Sequence, residues 1–274
     1  MQVFVCTFFV LTFMLVFSCQ HQTALDNALK LSGSNRAELE KVLEHYSRYP
    51  ADSLKYQAAC FLIAYMPYQY SVDPGAIEKI QPVYDQHRSI SERFGWKRPP
   101  AWGDAIDSLE DVYVRDYKFD LSKNIYPDIR YITSGYLIRE IDLAFKAWEE
   151  NIYSQQVSFS DFCEYVLPYR RQDKYLLEDS RMQFYERHSG CFSGQYTSFE
   201  EATDSILYKY VDFLHSGIHG AGIPVYSIAT LEQIKRGFCE HRCYFNSCLL
   251  SALGMPVVID YVPHWGNRSS THSW

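Results

Sequence analysis

The sequence lacks an excess of positive charge, internal repeats and low-complexity tracts. It has 26 lysines and arginines against 33 aspartates and glutamates, for a formal net charge of −7. Because nucleic-acid-binding proteins use clustered basic residues to neutralise phosphates, this balance argues against a nucleic-acid partner.

An apolar run, Val3–Phe17, opens the chain but is short for a membrane-spanning helix. Its position predicts a secretory signal peptide over residues 1–18. The residues before Cys19 resemble a bacterial lipobox, which implies acylation of the Cys19 thiol and an exported, membrane-anchored lipoprotein of the cell envelope. The alternative is an ordinary cleaved signal with an incidental cysteine, because no Lys or Arg precedes the run. Residues 19–34 would follow as a polar tether.

The region from residue 35 to 216 shows mostly helical patterns. Asn35 and Glu38 have the spacing of a capping box, and apolar residues follow at intervals of three and four. Prolines interrupt residues 66–132, which therefore predict short helices and turns. Three glycines between Gly217 and Gly222 mark the predicted boundary with the last region, 217–274. The predicted helices span 35–46, 53–65, 133–150, 159–166, 174–187 and a stretch that begins at Ser198.

The stretch that begins at Gly237 bears most directly on chemistry. Cys239 starts about four potential helical turns, which Leu253-Gly254-Met255-Pro256 would end. The β-branched run 257–262 predicts a strand, and a loop then leads to a second strand that contains His272. A cysteine at a helix N-terminus gains thiolate character from the helix dipole. A histidine on a neighbouring strand can take its proton and later return it.

This order of features resembles the transglutaminase-like family, which has a papain-like Cys-His-Asp core. The family has a Gly-x-Cys, a Leu-Gly-Ile-Pro-type helix end and a His-Ala-Trp-type histidine strand, and residues 225–274 match that pattern. The resemblance implies that Cys239 is the nucleophile and His272 the general base, with no cofactor. The family's aspartate on the next strand has no counterpart, because the chain ends two residues after His272. The sequence is therefore predicted to be a fragment or a truncated product.

Other residues near His272 are candidates for secondary roles. His264 and Trp265, in the loop before the second strand, are predicted to contact substrate at the rim of the site. Asp260 lies on the preceding strand, but strand alternation and the family pattern argue against it as the acid that orients His272. The candidate oxyanion donors are the backbone N–H of Cys239 and one group from residues 224–236, which include Tyr226 and Gln233.

The spacing Cys239-x-His241-x-Cys243 could suggest a metal site. On a helix, residues 239 and 243 share a face while His241 points away, and paired zinc cysteines are commonly separated by two residues. We therefore predict no metal. Cys243 is expected to pack within the helix, or alternatively to be a redox partner of Cys239. Cys60 and Cys163 lie inside helical apolar patterns and are expected to be buried free thiols, while Cys248, like Cys243, is expected to pack its helix against the neighbouring elements.

The sequence thus predicts an α+β protein: a mostly helical N-terminal region, then the beginning of a transglutaminase-like core, truncated after the histidine strand. By resemblance, it would be an exported thiol enzyme acting on amides of proteins or peptides. The acyl group would pass to water or to an amine. The alternative from a different class is a catalytically inactive, membrane-tethered binding module that has kept the fold.

Overall fold

The computed structural model describes residues 23–117, 119–192, 196, 198–214, 217–264, 266 and 271–274. The predicted signal peptide, Cys19 and Trp265 lie outside these residues. This part of the chain is mostly helical and contains two small sheets. A mixed α+β class with helix predominating agrees with the class expected from the sequence.

The elements of the described residues are as follows. Helices are α1 (residues 23–31), α2 (Arg36–Ser47), α3 (Ser53–Tyr65), α4 (Pro74–Glu78), α5 (Gln81–Arg93), α6 (Pro100–Asp116), α7 (Ser134–Glu150), α8 (Phe159–Asp161, followed by a π-turn Phe162–Val166), α9 (Ser180–His188), α10 (Phe199–Tyr208), α11 (Ile228–Ile234) and α12 (Cys239–Ala252). Strands are β1 (Tyr70–Val72), β2 (Ile125–Pro127), β3 (Tyr261–Val262) and β4 (His272–Ser273).

Described residues fall into two compact units. Positions up to Gln69, with Pro127–Asp142, form the smaller one, and Tyr70–Tyr126 with Leu143–Trp274 form the larger. Residues 217–274 thus share a unit with much of the helical region before them. In the smaller unit, α2 packs on α3. Residues 23–31, within the predicted tether, are helical and bury Leu25, Ala28 and Leu29.

The predicted α2 is present, but its predicted capping box is wrong. The Asn35 amide donates instead to the carbonyls of Ile129 and Ile132, at 3.2 and 2.9 Å. Glu38 accepts hydrogen bonds from the N–H and hydroxyl of Ser134, at 2.8 and 2.6 Å. Both side chains therefore connect α2 to a distant segment of the chain rather than capping its own first turn. The spacing of Asn35 and Glu38 in the sequence does not predict these long-range partners.

Two long helices, α5 and α6, occupy the proline-containing stretch that predicted short helices and turns. Their prolines stand in the first turn, where a missing N–H leaves no helical hydrogen bond unmade. Pro82 is the second residue of α5, and Pro100 is the first residue of α6. The prolines therefore begin helices here instead of breaking them.

Helix α12 lies at the centre of the larger unit. From Tyr244 to Ala252 nearly every side chain is buried, on all faces of the helix. It packs against α9 and α11, and Phe245 contacts Phe184 of α9 edge-to-face at a ring separation of 5.2 Å. Helix α9 begins at Ser180, later than the predicted start at residue 174. Burial on all sides holds the stretch of α12 from Tyr244 to Ala252 in place within the larger unit.

Candidate functional site

The structure places Cys239 at the first residue of α12. Phe238, at the N-cap position, is extended, with φ −84° and ψ −176°, so the chain turns sharply into the helix. Gly237 is needed for that entry, because a Cβ at this position would lie 2.7 Å from Cβ of His241. The Cys239 side chain is half-buried and its thiol is free. The predicted helix start is confirmed.

His241 caps this helix, a role that the sequence reasoning missed. Its Nδ1 accepts a hydrogen bond from the Phe238 N–H at 3.0 Å, as the third residue of a capping box does. Burial, with the charge of Arg236 nearby, lowers the pKa of His241 to about 4. A neutral imidazole keeps Nδ1 available as an acceptor at neutral pH. Its place as the third residue of the helix is where a capping box has its side-chain acceptor, but the residues that usually fill that place are glutamate and glutamine.

The other end of α12 closes with the predicted glycine stop. Gly254 has φ +78°, the left-handed conformation that favours glycine. Its N–H donates to Ser251 O and the Met255 N–H donates to Leu250 O, the two bonds of a Schellman motif. A Cβ on Gly254 would lie 2.5 Å from the carbonyl oxygen of Ala147. The α12 terminus is thereby held against α7.

Strands β3 and β4 form an antiparallel pair that follows α12. Val262 lies opposite His272, and Tyr261 lies opposite Ser273. Strand β4 packs against α12, the helix that begins with Cys239. Ser273 is buried, His272 is half-buried, and the rings of His272 and Trp274 are 5.8 Å apart. The predicted order of helix, strand, loop and strand is present, although each strand has only two residues.

Asp260 lies on the same face of this strand pair as His272. Its backbone exchanges two hydrogen bonds with Trp274, at 3.0 and 3.2 Å, so the two residues are directly opposite. Opposite residues of antiparallel strands point to one face, and Trp274 and His272 alternate by two. The alternation argument against Asp260 is therefore wrong, and its exposed carboxylate stands diagonally across from His272.

The other predicted site residues are placed differently. His264 is exposed and follows β3 by two residues, while Trp265 lies outside the described residues. The Gln233 amide donates to Asp85 of α5 at 2.8 Å, so Gln233 is engaged away from the first turn of α12. Burial, and then the charge of Glu240 in that turn, raise the pKa of Tyr226. Tyr226 is thus the better-placed of the two candidate oxyanion donors.

The described cysteines separate into two groups by their surroundings. Burial raises the pKa of Cys163 and of Cys248 to about 12, which leaves those thiols protonated and unreactive near neutral pH. Burial also raises the pKa of Cys60, in the smaller unit. Among the cysteines of the larger unit whose burial the structure describes, Cys239 and Cys243 are half-buried. The accessible thiols of this described set therefore lie near the start of α12.

A groove of about 620 Å³ lies at the opposite end of α12. It is lined by aromatic and acidic side chains and by Pro256, which follows the helix. Because α12 has fourteen residues, Cys239 lies about 20 Å from this end. The groove therefore does not belong to the Cys239 site. Its other lining residues include Tyr153, Asp161, Tyr165, Phe199 and Glu200.

Comparisons with known proteins place the chain in no family. No protein-family model, no curated protein and no solved structure matches it. Within the described ranges, no three His, Cys, Asp or Glu side chains are grouped so that they could hold a metal ion. Nor does the described part of the chain contain a helix with the length and hydropathy needed to cross a membrane.

Proposed function

We propose that this protein is a transglutaminase-like thiol enzyme that acts on amide bonds of proteins or peptides. Cys239 would be the nucleophile and His272 the general base. One observation carries the proposal: the cysteine begins the central helix of the larger unit, and the strand that contains the histidine packs against that helix. The family resemblance of residues 225–274 supplies the reaction class.

The chemistry uses three groups of the protein: the Cys239 thiol, the His272 imidazole and the Cys239 N–H. His272 would take the thiol proton as the Cys239 sulfur attacks the carbonyl carbon of the substrate amide. The first N–H groups of a helix have no partner within it, so the Cys239 N–H would be available to stabilise the oxyanion. The imidazolium would then donate its proton to the departing amine or ammonia. Water or a second amine would resolve the acyl-thioester and regenerate the thiol.

Two side chains would support these steps. Burial and then the charge of Glu240 raise the pKa of Tyr226, so Tyr226 lies near the first turn of α12. We assign its hydroxyl as the second oxyanion donor. Asp260, on the face of the strand pair that carries His272, is the acid that we assign to orient the imidazole. In the transglutaminase-like pattern, that acid follows the histidine in the sequence, on the next strand. Asp260 instead comes before His272, immediately before β3, so its negative charge would reach His272 from the strand that precedes β4.

The cellular context of the proposal comes from the sequence. Acylation at Cys19 would anchor the protein to a membrane of the cell envelope, where its protein or peptide substrates would lie. Metabolic labelling with a clickable fatty acid tests this directly. We expect label on the intact chain, and none on a Cys19→Ala variant.

Labelling by iodoacetamide tests the proposed catalytic pair. On the full chain at pH 6.5, we expect Cys239 to react faster than Cys60, Cys163 and Cys248, the rate of each being followed by mass spectrometry of tryptic peptides. His272→Ala should lower the Cys239 rate by about tenfold or more, because the thiolate loses its base. His264→Ala, a matched change in the adjoining loop, should leave that rate within about twofold.

Equal rates at Cys239 and Cys60, unchanged by His272→Ala, would contradict the proposal. The inactive binding module would then be the remaining function. If Cys239 is activated, release of ammonia from a glutamine peptide, compared with incorporation of a fluorescent amine into casein, distinguishes hydrolysis from cross-linking.

A further inference from the structure

Two half-buried thiols lie one helical turn apart at the start of α12. Cys239 is the first residue of the helix, and Cys243 follows four positions later. Residues at this spacing share a face, with Cβ atoms about 5–6 Å apart and about 6 Å of rise between them. Both thiols are free.

The electrostatics agree with this proximity. Burial raises the pKa of Cys243, and the charge of Cys239 is the second cause of the increase, so the two side chains lie within electrostatic range of one another. The nearest other cysteine of the helix, Cys248, is buried and has a pKa of about 12. Among the three cysteines of α12, this pair is therefore the one suited to thiol chemistry.

The position within the helix makes a bond between the two sulfurs feasible. A disulfide needs Cα atoms about 4.4–6.8 Å apart, which one turn of helix provides, and Cβ atoms about 3.5–4.5 Å apart. The first turn must therefore tighten by about 1–2 Å. Cys239 is held less firmly than an interior residue, because its own N–H makes no bond within the helix and only its carbonyl is bonded, by the Cys243 N–H. In the middle of a helix, both backbone groups of the first cysteine would be held by helical hydrogen bonds.

We propose that Cys239 and Cys243 form a reversible intramolecular disulfide, a modification site that switches the first turn of α12 between dithiol and disulfide forms. The oxidant is a small-molecule disulfide. One protein thiolate attacks it and releases one small thiol, leaving a mixed disulfide; the second protein thiolate then attacks the protein sulfur of that bond and releases the other. Two protein thiols are oxidised, and one small disulfide is reduced to two thiols.

The consequence for activity rests on the proposed function. With its sulfur in a disulfide, Cys239 cannot attack a carbonyl, so oxidation would switch the enzyme off and a reducing thiol would restore it. Disulfide formation itself requires only the two cysteines. Its test therefore does not depend on any catalytic activity.

Trypsin mapping provides that test, because Arg242 lies between the two cysteines. Cleavage after Arg236, Arg242 and Arg268 leaves Cys239 in peptide 237–242 and Cys243 in peptide 243–268. The full chain, with Cys248→Ser to remove the other thiol of the second peptide, is treated with hydroxyethyl disulfide, blocked with iodoacetamide and digested without reductant. The monomer band of a non-reducing gel is analysed.

We expect peptides 237–242 and 243–268 to be recovered as a linked pair, with loss of both iodoacetamide adducts and their return after dithiothreitol. In the matched Cys243→Ser variant, Cys239 should instead retain the mixed disulfide. The proposal is overturned if the parent chain also accumulates the mixed disulfide on Cys239 without the linked pair, or if the link occurs only between separate chains. Either result leaves the iodoacetamide comparison of Cys239 with His272→Ala unaffected.

Discussion

At the scale of single residues, His241 does the most to define the start of α12. The N-cap residue Phe238 has no side chain that could accept a hydrogen bond. The capping bond is made instead by the third residue of the helix, His241, whose Nδ1 accepts from the Phe238 N–H. The His241 side chain is almost fully buried, and its imidazole must remain neutral to accept the hydrogen bond from the Phe238 N–H. The position of Cys239 therefore depends on a histidine that has no place in the proposed reaction.

We expect His241→Ala to lower the free energy of unfolding by about 1–3 kcal/mol, from loss of a capping bond and of buried ring contacts. Urea denaturation at pH 7 measures this change. His241→Asn, whose side-chain oxygen can still accept a hydrogen bond, should recover part of it. Equal stability of His241→Ala and the parent chain would show that the cap is dispensable.

Sequence reasoning predicted the helix start at Cys239 and the glycine stop correctly because both depend on local backbone geometry. It missed the His241 cap because an imidazole in that role has no common sequence pattern, unlike Ser-x-x-Glu. The Ser198 cap of α10, which does follow that pattern, is confirmed: its hydroxyl accepts the Glu201 N–H at 3.2 Å. The face of the strand pair on which Asp260 lies depends on the register between β3 and β4. Because pairing between distant residues sets that register, the local sequence pattern did not predict it.

At the scale of elements, the stop at Gly254 fixes the length of α12. We expect Gly254→Ala to destabilise the protein by about 2 kcal/mol or more, because the left-handed backbone and the nearby Ala147 carbonyl both oppose a Cβ. Gly135, in the first turn of α7, has open space at its Cβ position. Gly135→Ala is thus the matched control and should be neutral or stabilising by up to about 1 kcal/mol.

Thermal unfolding of both glycine variants, followed by far-ultraviolet circular dichroism, measures these differences. A Gly254→Ala chain as stable as Gly135→Ala would show that the end of α12 is not constrained as described.

Other elements illustrate what local patterns cannot predict. The starts of α5 and α6 required the alternative reading of proline as a helix-starting residue, and the apolar run 257–262 contributes only Tyr261–Val262 to the ladder.

At the scale of the whole molecule, buried titratable groups of the larger unit make stability depend on pH. Burial lowers the pKa of His87, His188 and His241 to about 4 each, against an ordinary value of 6.5. These histidines bind protons more readily in the unfolded chain, so their contribution is present above pH 6.5 and is lost as the pH falls toward 4. Glu178 opposes them: burial raises its pKa to about 7, so it favours the folded state at lower pH.

Three histidines outweigh one glutamate between pH 6.5 and 4.5. We expect the free energy of unfolding to fall by an amount on the order of 3 kcal/mol across this window. Urea titrations at several pH values measure the slope. Glu178→Gln should steepen it, because the opposing group is gone, and His241→Gln should flatten it. Stability that is constant or rises on acidification would contradict the assignment of three buried neutral histidines.

The most direct test of the central claim is whether the Cys239 sulfur and the His272 imidazole can be bridged. The reagent 1,3-dibromoacetone alkylates a thiol with one bromomethyl group and a nearby imidazole with the other. On the full chain with Cys243→Ser, we expect tryptic peptide 237–242 to be recovered linked to peptide 269–274 through Cys239 and His272. Single alkylation of Cys239, with His272 unmodified and its peptide recovered free, would contradict the account.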